Sequence, residues 1–532
     1  MKKMKKIFTA AVIASFAGFA FADEWDDFDM ESSAEPAISI SGEAQVAGRV
    51  YTDQRKDGKS GDFFSAGDMK TDAKYSGKLN FAYSGASSDA EIKIKLDNNS
   101  LGEYKADILD ELTARAYMGN FQLEAGKIKT VWGKTDKIHV VDNFNANDYT
   151  DFIFPDYIDR RIAEPMFHVI YSTPSNVKLE GVWTPVMTVD RLASEGIWQP
   201  AKSKELTETV TEIMMHNIKA SGDVAGGLLK ASKFSSDNLV EDDIHSLKYG
   251  QAGARTTFTV AGFDLGASYY YGHLKQPSAN LEKFSTQVAS YAAKWQKDNG
   301  AALMAAMLKQ KTNPSSLTPD EKNLLASGAE LKADPVAFAL KADDNEKTVF
   351  ALPSLNYDQV QVFGLEGACV LWKFNVRAEG AYYLTEDTAG DNPWIANNSV
   401  QWVCGFDMDM PWTNMNLNIQ TQGKYILNND KIKNGAFGKY DVDYNSDDKY
   451  ISNKIIVDVT DSYMHDTFKI DVKGIMEVET LDFVLMPSFT VKGADCLTVT
   501  ASGMWVKSDN KNSEFYNFRR TSFGQISCKY MF

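Results

Sequence analysis

Apolar and polar residues alternate along many segments of this 532-residue chain. In residues 91–97, every charged side chain falls on one face, and the isoleucines and the leucine fall on the other. The same period of two recurs in residues 79–83, 414–425, 468–473 and 497–505. This period is typical of β-strands with one polar and one apolar face, so the pattern predicts an all-β protein.

The pattern predicts about 18 strands, and about 16 is the alternative, because the strand near Tyr450 has the weakest predicted partner. An even number returns both ends of the chain to the same side of a membrane barrel. The predicted strands start near Ile38, Tyr75, Ala90, Glu111, Phe121, Met166, Val177, His245, Phe263, Tyr357, Phe374, Ser399, Asn414, Tyr450, His465, Leu481, Asp495 and Arg519.

Short and long connections alternate between these segments. A soluble β-sandwich also shows alternating residues, but short turns on one side and long loops on the other match an outer-membrane barrel. The sequence therefore predicts a transmembrane antiparallel β-barrel with long, partly helical extracellular loops. The long loops are expected at about 52–74, 132–165, 185–243, 274–356 and 428–449.

The last residues of the chain continue the alternation, with Ile526, Cys528, Tyr530 and Phe532 on one face. An open edge strand at this position would invite aggregation. The ending resembles the C-terminal assembly signal of bacterial outer-membrane barrel proteins, with Tyr530 and Phe532 as its aromatic residues. The resemblance implies an outer-membrane location, with membrane lipid and the barrel-assembly machinery as partners.

Residues 1–22 have the features of a secretory signal peptide. Four lysines precede an apolar run from Ile7 to Phe19, and Ala20 and Ala22 supply the small residues of a cleavage site. Residues 23–36 follow as an acidic segment, expected to be a solvated periplasmic extension; a plugging or partner-binding peptide is the alternative. Residues 37–532 are expected to form a single barrel domain.

The charge of the chain excludes some partners. The formal charge of −16 becomes about −20 without the four lysines of the signal peptide (−16 − 4). Such a charge disfavours nucleic acid as a partner. Aromatic residues make up 12% of the chain, as expected of a barrel with two aromatic girdles.

Two of the long loops carry helical patterns. In the loop at 274–356, apolar residues from Leu281 to Trp295 recur at helical spacing, and Gly300 suits the end of that helix. Residues 318–321 have the sequence of a capping box, and a further helix is predicted near residues 206–219. This loop either restricts the mouth of the barrel or forms an exposed binding surface, and the sequence favours neither.

Charged residues in the lumen are the candidates for selecting a solute. Residues 126–162 are dense in Lys, Arg, Asp and aromatic residues, and they resemble a stretch of an uncharacterised family of bacterial outer-membrane barrels (the DUF1302 type) and, more loosely, alginate-export-like porins. That resemblance implies a solute channel in which the charged residues of this loop form the constriction. The alternatives are an ordinary charged loop and a wall that is polar because water fills it. The candidates are Lys127, Lys129, Lys134, Asp136, Arg160 and Arg161 in this stretch, with Lys93, Lys95, Arg377 and Glu379 on inward strand faces.

No nucleophile elbow, zinc motif or phosphate loop is present, so we expect neither catalysis nor a cofactor. Residues 441–448 alternate acidic side chains, but Ser446 stands where a calcium loop needs glycine, so no metal is expected either. The best interpretation is a porin for passive diffusion of small hydrophilic solutes. A surface adhesin that displays its loops on a barrel is the alternative, and a homotrimer is left open.

Overall fold

The computed structural model describes residues 37–102, 104, 106–231, 239–240, 242–341, 348–432, 440–494 and 496–532. The predicted signal peptide (residues 1–22) and the acidic segment (residues 23–36) lie outside the described residues.

Eighteen antiparallel strands form one sheet, and the sheet closes on itself because β1 pairs with both β2 and β18. The strands are Ala37–Arg55 (β1), Met69–Ser84 (β2), Ser88–Asp97 (β3), Leu109–Met118 (β4), Phe121–Ile128 (β5), Glu164–Ser172 (β6), Val177–Thr184 (β7), Gln251–Val260 (β8), Phe263–His273 (β9), Gln359–Leu371 (β10), Phe374–Thr385 (β11), Ser399–Asp409 (β12), Asn416–Ile426 (β13), Ile451–Tyr463 (β14), Phe468–Glu477 (β15), Phe483–Ala494 (β16), Leu497–Lys507 (β17) and Phe523–Met531 (β18).

The predicted barrel and its larger strand number are confirmed. The strand that carried the weakest prediction is β14, which pairs with β13 along one edge and with β15 along the other. The predicted start near His245 is early, because Leu247–Tyr249 forms a 3-10 turn before β8 begins.

The outer wall of the barrel is apolar. On β1, Ile38 and Ile40 are exposed, whereas the alternate residues Arg49 and Tyr51 are buried inside. The aromatic side chains of Trp372 and Tyr530 are exposed near the short-turn ends of their strands. An apolar band with aromatic residues at its rim is the surface that a barrel presents to lipid. The described residues contain no helix that is long and apolar enough to span a membrane.

The long loops carry the helices and two small two-stranded sheets. The small sheets pair Ala146–Asn147 with Arg161–Ile162, and Ser278–Asn280 with Ser354–Asn356. The helices are Asn98–Leu101 (α1), Tyr157–Arg160 (α2), Ala201–Ser221 (α3), Val224–Ala231 (α4), Glu282–Thr312 (α5), Pro319–Ala333 (α6), Pro335–Leu340 (α7) and Asn429–Ile432 (α8), with 3-10 turns at Leu247–Tyr249, Pro314–Ser316 and Tyr516–Phe518.

The helical predictions hold with one correction. The capping box is present, since Thr318 and Glu321 exchange hydrogen bonds at the start of α6, and α3 contains the helix predicted at 206–219. However, α5 does not end at Gly300 and runs on to Thr312. A single glycine costs a helix only about 1 kcal/mol relative to alanine, which is too little to end one.

The last strand closes the barrel at its short-turn rim. Phe532 and Gly42 exchange two backbone hydrogen bonds, of 2.8 and 3.0 Å. A Cβ atom on Gly42 would lie 2.6 Å from the Phe532 ring and 2.8 Å from the carbonyl oxygen of Lys78. The closing contact therefore needs glycine at position 42.

We expect Gly42→Ala to destabilise the folded barrel by about 1–3 kcal/mol, the usual effect of overpacking a tight site. Gly48→Ala on the same strand is the matched control, because a Cβ there has nothing within 4 Å. Urea unfolding of both variants in detergent micelles measures the difference. Equal stabilities would show that the Phe532 contact does not limit closure.

Candidate constriction site

The loop between β5 and β6, residues 129–163, lies inside the barrel and is called the inward loop below. Its Trp132 and Phe144 side chains are fully buried and pack edge to face, with ring centroids 5.0 Å apart. Phe144 also meets the ring of Tyr270 on the inner face of β9 at 5.1 Å. This apolar contact seats the loop against one side of the wall. The wall residues of the cluster are Ile128, Met166, Val182, Tyr270, Val360, Val362, Ala381 and Val403.

Two glycines on the inner wall make room for the loop. A Cβ on Gly253 would lie 2.8 Å from the Phe144 ring and 3.1 Å from the Trp132 ring. A Cβ on Gly364 would lie 2.6 Å from Val141 of the loop. Because a side chain at either position would displace the loop, the wall and the loop are complementary in shape.

Glu379 on β11 holds the loop at its deepest turn. Its side chain is fully buried and accepts hydrogen bonds from the backbone N–H groups of Lys134, Thr135 and Val140, at 2.8–2.9 Å. It also accepts from the Thr135 hydroxyl at 2.6 Å and lies 2.8 Å from Nδ1 of His139. A carboxylate bound by this many donors is a strong anchor.

The anchor requires a glycine in the loop. Gly133 has φ = +120°, a backbone conformation that side-chain-bearing residues rarely adopt. A Cβ there would collide with Glu379 and His139. The pair Trp132 and Gly133 therefore combines the apolar contact with the turn that reaches Glu379.

A buried ion pair stiffens the base of the loop. Arg161 contacts Asp142 at 2.6 Å, and both side chains are 1% exposed. The second guanidinium nitrogen of Arg161 donates to the Thr130 carbonyl at 2.7 Å. Asn145 adds hydrogen bonds to the backbone on both sides of the loop. Arg161 thus closes the base of the loop, with its charge neutralised inside it.

Carboxylates along the loop reach basic residues on distant parts of the wall. Each of these contacts joins the loop to a different strand, namely β1, β2, β11 or β15. The loop therefore crosses the lumen and does not merely line one side of it. The pairs are Asp151 with Arg49 (2.5 and 2.8 Å), Asp159 with Lys78 (3.0 Å), Asp136 with Arg377, and Asp156 with Lys473 (2.7 Å).

An aromatic cluster lies at the inner wall near the long-loop ends of β1 and β16–β18. Phe152 of the inward loop lies 4.0 Å from the ring of Phe518 and stacks on Trp198 at 6.2 Å. Tyr51 on β1 and Phe523 on β18 belong to the same buried cluster. This cluster therefore fixes the middle of the inward loop to the wall formed by β1 and β16–β18.

Three of the predicted lysines lie beside carboxylates on the nearby wall. On β3, Lys93 lies 3.2 Å from Glu111 and Lys95 lies 3.0 Å from Asp97. Lys129, at the start of the inward loop, lies 3.9 Å from Glu111 and 3.0 Å from Asp110. Their charges are thus largely compensated in place.

Of two other predicted residues, one lies on the outer face of the barrel and one packs within the inward loop. Lys127 pairs in register with Leu112 on the lipid-facing side of the sheet, because alternation puts Glu124 and not Lys127 inside. Its ammonium contacts Asp107 at 3.3 Å. Arg160 lies over the ring of Tyr149, 5.6 Å from its centroid.

A row of paired charges on the inner wall was not predicted. It runs across β3–β8 and on to β10, and Gly266 on β9 leaves the space that the Glu366 side chain occupies. Acidic and basic groups alternate along the row, so each carboxylate on this part of the wall lies beside a basic group. Its members are Asp89, Arg115, Glu124, His168, Glu180, Arg255 and Glu366, joined at 2.5–3.3 Å.

The barrel is similar to solved bacterial outer-membrane porins. Pseudomonas aeruginosa OccK3 (OpdO) matches 93% of this chain and 95% of its own, at 8% identity and a TM-score of 0.42. OpdQ of the same organism matches 93% of this chain and 97% of its own, at 8% identity and a TM-score of 0.42. A mutant of Rh. blastica porin matches 93% of this chain and 100% of its own, at 8% identity and a TM-score of 0.35. No family model and no curated protein matches the sequence. Similarities this low say nothing about which solute passes.

Replacing Glu379 should release the inward loop. We expect Glu379→Gln to weaken the attachment of the inward loop to the wall by about 3–5 kcal/mol, because the amide cannot accept hydrogen bonds from all the buried donors. Limited proteolysis of the micelle-bound barrel should then cleave within residues 134–140. Glu91→Gln removes an inner-wall carboxylate that pairs with Lys93 and serves as the control. Equal resistance of both variants to protease would contradict the anchoring role.

Acid should loosen the far end of the loop only below about pH 4. Burial raises the pKa of Asp151, but Arg49 and then Lys74 offset it and hold the pKa below the ordinary 3.8. Lys473 lowers the pKa of Asp156 in the same way. A carboxylate with a lowered pKa stabilises the attachment of the inward loop above about pH 4, and that stabilisation is lost as the pH falls further.

The same proteolysis assay over a pH series, with an acid-active protease at the low end, measures this transition. Asp151→Asn should already be loosened at neutral pH, with a smaller change on acidification. A transition centred near neutral pH would show that other titratable groups determine how firmly the inward loop is attached.

Proposed function

We propose that this protein is an outer-membrane channel through which small hydrophilic solutes diffuse passively. The observation that carries the proposal is the inward loop, which crosses the lumen on a wall shaped to receive it. A barrel that serves only to display its outer loops has no need of a fitted internal loop. The polar inner wall supports a water-filled path past this loop.

Selectivity would follow from width and wall charge at the loop. Asp136, Lys137 and Arg377 meet where the loop dips deepest, and we propose them as the centre of the constriction. Lys93 and Lys95 add to the inner wall outside that centre. Lys127 is not part of the proposed constriction, because its position on β5 faces lipid.

The helices of the long loops form a separate layer. Phe284 and Val288 of α5 pack with Ile213 of α3 and with Trp394. This buried cluster joins the outer loops to one another and not to the inward loop. We therefore propose that α5–α7 cover the mouth without setting the width of the passage. Nothing in the fold favours the adhesin alternative.

The assembly partners of the barrel and its porin subtype are also proposals. Tyr530 and Phe532 point outward at the rim with their rings stacked 6.3 Å apart, a surface that the barrel-assembly machinery could bind. A homotrimer and a DUF1302-type or alginate-export-like solute class rest on resemblance.

Planar-bilayer recording tests the function. The purified full-length protein should insert with stepwise conductance, and Glu379→Gln should give larger and noisier steps because the loop is released. Deletion of residues 282–340, which removes α5–α7, should leave the step size unchanged. Heat-modifiable mobility on gels confirms that each variant is folded.

Each outcome decides a separate point. Folded protein that gives no conductance would overturn the channel proposal. Larger steps after deletion of residues 282–340 would make the helical layer part of the constriction.

A further inference from the structure

One part of the inner wall lies beside the tip of the inward loop and outside the row of paired charges. It is a recess of about 320 Å³ between the tip of the loop and β11–β14, near the short-turn ends of those strands. Recesses of this size lie at the small end of the range for ligand pockets, ~300–1,000 Å³. It is lined by Asp136, Lys137, Arg377, Asp407, Asn416, Asn418, Asp458 and Thr460.

The groups around the recess are partly paired. Arg377 bridges Asp136 and Asp407, the latter at 2.7 Å. Asn418 donates to Asp136 at 2.6 Å. Lys137 contacts Asp458 at 2.6 Å. Three carboxylates thus face two basic groups, which leaves one negative charge (−3 + 2) uncompensated within the lining.

Asp458 carries an acceptor without a hydrogen-bond donor in this recess. Its Oδ1 atom has no hydrogen-bond partner among the described residues, although the residue is only 5% exposed. Its other oxygen is held by Lys137, whose side chain is 40% exposed and therefore easily displaced. A buried carboxylate oxygen without a donor is costly, so a solute cation that displaces Lys137 and reaches this carboxylate is stabilised there.

We propose that this recess binds small organic cations, with the ammonium or guanidinium group of the solute on Asp458. The amide oxygen of Asn416 and the hydroxyl of Thr460 line the same recess and can meet the polar body of such a solute. The described residues hold no group of three or more His, Cys, Asp or Glu arranged for a metal ion. This inference rests on the proposed channel function and names its solute class.

Isothermal titration of the full-length protein in micelles tests the recess without requiring conductance. The probes are lysine, norleucine and glutamate, which share an amino-acid core and differ in side-chain charge. Lysine should bind most tightly, and glutamate should not bind. Norleucine binding as tightly as lysine would overturn the proposal.

Two variants should shift lysine affinity in opposite directions. Asp458→Asn should weaken lysine binding roughly tenfold, the effect of one charge-assisted hydrogen bond. Lys137→Met removes the competing ammonium and should tighten it. Asp264→Asn, on the inner face of β9 outside the recess, is the control and should change nothing. A disturbance of folding would instead weaken binding in both recess variants.

The remaining outcomes are also decisive. Calcium ions competing with lysine at equal concentration would identify a general cation site and overturn the choice of an organic cation. Lysine binding without conductance would refute the channel and keep the recess. Conductance without lysine binding would refute the recess and keep the channel.

Discussion

Pairing of the first and last strands is the constraint on which the rest of the structure depends. In lipid, every backbone N–H and C=O of a sheet needs a partner, and only closure removes the two free edges. Here nine residue pairs join β1 to β18, and the contact between Gly42 and Phe532 ends this seam at the short-turn rim. Once 18 strands close, the alternation of side chains becomes an apolar outside and a polar inside, and the ring encloses a lumen too wide for its wall to fill.

The inner wall around this wide lumen has three distinct parts. One part is apolar and shaped by Gly253 and Gly364 to receive the inward loop. A second carries alternating acidic and basic groups, with His168 between two carboxylates. The third, around Asp458, keeps a carboxylate oxygen without a hydrogen-bond donor among the described residues. The wall of this wide barrel therefore differs in character from one side of the lumen to another.

The sequence predicted which residues matter better than it predicted what they do. Asp136, Arg377 and Glu379 were candidates for a charged lumen wall, and the structure brings them together at the loop tip. Yet Glu379 is fully buried and serves as an anchor, and Arg161 is buried within the loop. Arg49 and the inner-wall glycines were missed. In the sequence, these positions show only small or charged residues on inward strand faces. Any barrel wall that faces water would show the same pattern.

By itself, the sequence determined the order of the strands, the end of the barrel at which the long loops lie and the strand that closes the ring, and it left the strand number between about 18 and about 16. These follow from a local period of two and from turn composition, which each segment carries independently of the others. Only the tertiary structure decided that the loop folds inward, which charges it neutralises and which it leaves unmatched. Those properties depend on contacts such as Asp151 with Arg49 and Thr135 with Glu379, between residues far apart in the chain, and no local pattern encodes them.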